Sequence, residues 1–148
     1  MADIHKAGLL VTHNGRILLC RKKHSTSLLI LPGGKLEHAE AARETAEDCL
    51  RRECREELGD VEIANLRFVG DYASPAAGAE DKIVRIELFS GELRGAPEPH
   101  AEIEELVWFG PDDDVTLLAP SLRDVILLDL RRRGLFGALE TPPTSFAK

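Results

Sequence analysis

The segment Thr45–Leu58, TAEDCLRRECREEL, constrains the fold of this chain more than any other. Its apolar residues recur at helical spacing. With each residue turning the chain by about 100°, Leu50, Cys54 and Leu58 form one stripe. Glu53, Glu56 and Glu57 fall together on the flank of that stripe, while Asp48, Arg51 and Arg55 take the far side. The small residues Ala46 and Cys49 share the carboxylate flank and leave room for something to approach. Like charges at spacings of three and four residues repel, at a cost of a few tenths of a kcal/mol per pair. A chain that needed only a helix here has little reason to keep all three glutamates. Gly33-Gly34 lies upstream, where the backbone can bend freely and present a carbonyl oxygen. Hard divalent cations take oxygen ligands, and magnesium commonly takes one or two carboxylates, waters and phosphate oxygens. A metal site and a solvated acidic face, with ion pairs such as Glu47 to Arg51, both fit this spacing. Spacing alone leaves the two open.

The rest of the chain supplies strands. Ala7–Thr12 and Arg16–Arg21 are apolar runs around Asn14-Gly15, a strong hairpin signal because both residues tolerate positive φ. A strand-like LLILP precedes the glycine pair. The helix is expected over about Thr45–Leu58, closed by Gly59 in the left-handed conformation. Strands are expected at Val61–Ile63, Arg67–Tyr72, Lys82–Phe89 and Glu105–Phe109, with loops at SPAAGAED and RGAPEPHAE. A second helix is expected from Ser121, with Asp124 placed for a capping box, and ending at Arg131–Arg133 before Gly134. The tail, residues 140–148, reads as loosely ordered. About six strands and two helices, mixed along the chain, predict an α/β fold with a mixed sheet covered by helices.

Composition narrows the function. At 148 residues the chain is most simply one domain, residues 1–148. No run approaches the ~18 apolar residues of a membrane span, and the N-terminus has no secretory pattern, so a soluble cytoplasmic protein is expected. Cys20, Cys49 and Cys54 suit neither a disulfide framework nor a zinc site and read as apolar filler. A net charge of −7 argues against a grip on long nucleic acid. It leaves room for a small anionic substrate bridged by divalent metal.

At the glycine pair and the acidic helix the chain resembles the Nudix hydrolases, whose signature is G-x5-E-x7-R-E-U-x-E-E-x-G-U, with U apolar. Glu44 is followed by seven residues and then Arg52-Glu53-Cys54-Arg55-Glu56-Glu57-Leu58-Gly59, in register throughout. Two positions depart from the pattern. Residues 35–43, nine in number, separate Gly34 from Glu44 where the family has five, or else Glu40 is the pattern's glutamate and the helix carries the extra turn, an alignment less preferred. Asp60 stands where an apolar residue is usual. The signature spans residues 33–60. The resemblance implies an α/β/α sandwich with a mixed β-sheet between helices. It further implies hydrolysis of a diphosphate linkage by water attack at phosphorus, with Mg2+ or Mn2+. Carried over by position, Glu53, Glu56, Glu57 and the Gly34 carbonyl would be metal ligands, and Arg52 would pair with Glu44 to brace loop against helix. Metal ions would neutralise phosphate charge and lower the pKa of a bound water.

The general base is expected at Glu53 or in PEPHAEIEEL, with Glu102 and Glu105 preferred over Glu98 and Glu104. Arg21, Lys22 and Lys23 after the second strand, and Lys35 beside the glycine pair, are candidates for the substrate's phosphates. An exposed strand end explains the first three equally well. His24, His38 and His100 have no ligand spacing. Tyr72, Phe89 and Trp108 can stack on a base, with core packing favoured for the last two. The compact layout resembles family members that convert nucleoside triphosphates to monophosphate and pyrophosphate. Nucleotide sugars, ADP-ribose and dinucleoside polyphosphates stay open, capped RNA is disfavoured by charge, and a non-catalytic nucleotide sensor is the alternative of another kind. The expected partner is a small nucleotide, without long nucleic acid or membrane; a homodimer stays open.

Overall fold

The computed structural model describes residues 4–24, 27–36, 44–76 and 79–137. The expected loose tail and most of the excess residues before Glu44 lie outside that set. Strands β1 (Ile4–Leu10), β4 (Gly33–Lys35), β5 (Glu62–Ala76) and β6 (Ala79–Arg94) form one sheet, ordered β4-β1-β6-β5. It is mixed: β1 runs parallel to β6 and antiparallel to β4. Strands β2 (Thr12–His13), β3 (Arg16–Lys22) and β7 (Ile103–Phe109) form a second sheet, ordered β2-β3-β7. The sheets are joined at Val11, whose carbonyl accepts from the Leu18 N–H at 3.0 Å.

Alternation along the strands builds a core on each face. Ala7, Leu9 and Leu18 are buried beneath α1 (Ala46–Leu58), against Leu50, Cys54 and Leu58. Leu10, Ile17 and Leu19 turn the other way, toward Leu122, Ile126 and Leu130. That second cover is a π-helical turn, Leu122–Ile126, running into α2 (Leu127–Arg132). The result is the expected α/β/α sandwich. All three cysteines are free and buried, as their use as filler requires.

The helix α1 is capped at both ends. Thr45 accepts from the Asp48 N–H at 3.1 Å, and the Gly59 N–H donates to Arg55 O. Gly59 does take a positive φ of 89°, but with ψ of −148° the chain leaves extended and not left-handed. The Asn14-Gly15 turn has φ of 54° and 77°, which joins β2 to β3 as a tight hairpin.

Four expectations are corrected. LLILP forms isolated bridges, Cys20 to Ile30 and Leu29 to Leu118, and no strand. The two strands expected over Val61–Tyr72 are one, β5, with register shifts between Ala64 and Arg67 that break its alternation. SPAAGAED is largely strand, because β5 and β6 continue through Pro75 and Ala79. Ser121 makes no capping bond, because with φ of −64° and ψ of −35° it is already helical, and Asp124 pairs with Arg123 at 2.7 Å.

Candidate active site

The glycine pair lies where β4, β1 and α1 meet. Gly33 has φ of 138°, and a Cβ there would overlap the Ala7 carbonyl of β1. A Cβ on Gly34 would collide with the carboxylate of Glu53. Gly33 therefore requires glycine, while a Cβ on Gly34 would push the Glu53 carboxylate off the turn. The Gly33 N–H donates to Glu57 Oε1 at 3.2 Å, so two of the signature glutamates close directly onto this turn.

Their environments differ. Glu57 is 3% exposed, and burial pushes its pKa up to about 7 against the opposing pull of the Gly33 N–H and Lys22. Glu53 is partly buried and its pKa is also raised by burial, the Arg52 bond opposing. The Glu56 side chain is 58% exposed, on the outer edge of the same flank. Arg52 holds the group together. It donates to Glu44 at 2.7 and 3.3 Å and to Glu53 at 2.7 Å, and stands 4.0 Å from Glu56. The Glu44 pair is the expected brace. The contacts to Glu53 and Glu56 answer the sequence puzzle in part: a guanidinium offsets the repulsion before any cation arrives.

Next to the turn opens a cleft of about 230 Å³. Gly8, Leu31, Ile86, Leu122 and Ile126 give it an apolar side. Glu53, Glu102, Lys6, Lys22 and Lys35 give it a charged one. Of the expected phosphate-binding cations, Lys22 and Lys35 are here. Arg21 is committed elsewhere, donating to Ser27 O at 2.7 Å and bonding Glu105, its cross-strand partner. The register of β3 on β7 thus takes both Arg21 and Glu105 out of the cleft. Sequence reasoning missed Lys6. Its only signal was its place in IHKAGLL, where the alternation of β1 turns Lys6 and Gly8 away from α1.

The aromatic candidates lie outside this cleft. Phe89 is core, as favoured, in edge contact with Phe68. Trp108 is not core: it is 36% exposed and tilted against His13. Tyr72 donates to Asp129 at 2.6 Å, tying β5 to α2. His100 packs over Gly59 beside Glu98.

The donor set suits a hard cation of limited demands. Among the described residues no three acidic, His or Cys groups converge as a complete cage. Glu53 and Glu57 do converge on the Gly33-Gly34 turn as carboxylates whose pKa burial raises. Two carboxylates with a carbonyl beside them suit magnesium, which leaves remaining positions to water and phosphate. The Gly34 carbonyl also accepts a weak bond from Cys49 Sγ at 3.5 Å.

Comparison with known proteins agrees with this geometry. A family model for the NUDIX domain matches residues 5–128. The NAD-capped RNA hydrolase NudC of Pseudomonas putida strain W619 is 35% identical over 131 residues, covering 86% of this chain and 45% of that protein. The chain spans under half the length of the curated relatives it matches. Among solved structures, the E. coli ORF135 protein is 26% identical with a TM-score of 0.68, over 90% of this chain and 94% of that one. A NUDIX hydrolase from Nitrosomonas europaea, at 18% identity and a TM-score of 0.71 over 90% and 91%, shares the fold. With the signature on α1, the sandwich around it and a domain match over most of its length, the chain belongs to the Nudix hydrolase family.

Proposed function

We propose that this protein is a Mg2+- or Mn2+-dependent pyrophosphohydrolase that cleaves a diphosphate linkage in a nucleotide. The observation that carries the reading is the closure of Glu53 and Glu57 onto the Gly33-Gly34 turn, beside a cleft with three lysines. Glu53, Glu56, Glu57 and the Gly34 carbonyl would hold the metal, which supplies charge neutralisation and an acidified water. Arg52, braced by Glu44, fixes the Glu53 carboxylate. Lys22 and Lys35 bind the phosphate chain, and the apolar side of the cleft receives the nucleoside. Glu102 faces the same space without an ion pair among the described residues, and so is the carboxylate we assign to take the proton of the attacking water. The new P–O bond forms as the anhydride P–O bond breaks, and the leaving phosphate carries away the electron pair. Glu105 and Arg21 keep a structural pairing in this reading.

The substrate we favour is a nucleoside triphosphate, released as monophosphate and pyrophosphate. A second reading, an NAD-type dinucleotide or an RNA end carrying it, is favoured by the name of the curated relatives. We place the protein in the cytoplasm, which suits three free thiols, and no helix among the described residues is long and apolar enough to cross a membrane.

A substrate panel tests this. Nucleoside triphosphates (oxidised ones included), nucleotide sugars, ADP-ribose, dinucleoside polyphosphates, NADH and NAD-capped RNA are each incubated with Mg2+, Mn2+ or EDTA, and products are separated. Metal-dependent cleavage of one class is expected, with pyrophosphate release marking the triphosphate reading. Glu56→Gln and Glu57→Gln should each lower turnover at least ~100-fold without loss of fold. A folded protein that cleaves nothing would transfer the assignment to a nucleotide-binding module.

A further inference from the structure

Lys6, Lys22 and Lys35 are brought to one cleft by three different strands. Lys6 on β1 lies directly opposite Lys35 on β4 in antiparallel register, so the two side chains leave the sheet on the same face. Like charges directly opposite weaken a strand pair. Lys22 adds a third positive charge. Burial, then Lys22, then Lys35 each lower the Lys6 pKa, while Glu57 opposes them. Several arginines elsewhere are matched at close range, Arg16 with Asp113, Arg52 with Glu44, Arg85 with Asp71 and Arg123 with Asp124, whereas Lys23 and Lys82 outside the cleft are also without an ion pair among the described residues. Among the described residues the three cleft lysines make no ion pair, although the chain carries a net charge of −7. Among the described residues the acidic groups that share the cleft, Glu53 and Glu102, make no ion pair with these lysines.

We propose that Lys6 is a positioning residue for the outer phosphates of the substrate, and that the three lysines make the cleft select by charge, favouring a terminal triphosphate over a dinucleotide diphosphate. A triphosphate brings about four negative charges and a dinucleotide about two, so a cluster of cations in a half-buried cleft discriminates between them. The apolar side formed by Leu31, Ile86 and Ile126 accepts either nucleoside, so it leaves that discrimination to charge. The proposal takes its substrate from the pyrophosphohydrolase reading, and its test includes a binding measurement that does not depend on turnover.

Lys6→Met keeps the stem and removes the charge, and Lys6→Arg keeps the charge. Kinetics with Mg2+ are measured on a nucleoside triphosphate and on NADH, and binding of inorganic tripolyphosphate is measured by calorimetry in EDTA. In Lys6→Met, KM for the triphosphate should rise about tenfold and KM for NADH less than about threefold, with kcat within about threefold. Lys6→Arg should restore most of the loss, and tripolyphosphate affinity should fall in parallel with the triphosphate KM. Melting of Lys6→Met should hold or rise, since a repulsive cross-strand pair is removed. Equal shifts for both substrates, turnover confined to NADH, or tripolyphosphate binding indifferent to Lys6 would overturn the proposal. If the wild type cleaves nothing yet binds tripolyphosphate through Lys6, the charge-selective cleft stands and the hydrolase reading falls. Active enzyme with Lys6-independent binding does the reverse.

Discussion

The buried carboxylate of Glu57 gives this protein one expected response to pH. Burial lifts its pKa from 4.5 to about 7, so in this interval the folded chain holds a proton that the unfolded chain has released. The group favours folding most below about pH 4.5, and its support fades as pH rises through about 7. In EDTA, the stability of Glu57→Gln relative to wild type should therefore grow between about pH 5 and pH 8, by up to about 3 kcal/mol. Thermal melts of the two proteins across that range check this, and a constant difference would contradict the desolvation argument. Added Mn2+ should raise the melting temperature more at pH 8 than at pH 6, because a cation must displace that proton. Residues differ in how far the sequence disclosed them. The Glu44–Arg52 pair was legible because both belong to a pattern with fixed spacing. Lys6 and the withdrawal of Arg21 and Glu105 were not, because strand register across distant segments decides them, and no local pattern records register.

Elements were most legible where their ends carry chemistry. Thr45 and Gly59 fix both limits of α1 through short-range bonds that any sequence reading can anticipate. The limits of β5 and β6 were lost because bulges interrupt the alternation that signals a strand, with Asn65 at a φ of 56° in the first of them. Likewise the π-helical turn ahead of α2 has no compositional mark, yet it places Leu122 and Ile126 on the cleft. The contrast gives a prediction. Thr45→Ala should cost about 1 kcal/mol in urea unfolding, since it removes a capping acceptor. Ser121→Ala, which removes no capping bond, should stay within about 0.5 kcal/mol of wild type. Equal losses would mean that the second helix is capped after all.

Across the whole molecule, the sandwich follows from two opposed apolar faces on each of β1 and β3, and this much their continuous apolar runs foretold. The cleft could not be foretold, because its lining comes from β1, β3, β4, β6, α1 and the π-helical turn, segments far apart in the chain. Burial keeps the three thiols protonated, raising the Cys54 pKa strongly and those of Cys20 and Cys49 to about 12. Cys20 reports from β3, and Cys49 and Cys54 from α1, two different elements of one structure. An alkylating reagent should thus leave the native protein unmarked and label it only as it opens. Intact mass after a short pulse in rising urea would then count how much of the molecule lets go at once. A jump from zero to three adducts denotes a single cooperative unit, while a population with two denotes a helix that leaves ahead of its sheet. The filler cysteines are in this sense a built-in clock for breathing motions, placed where no probe need be engineered.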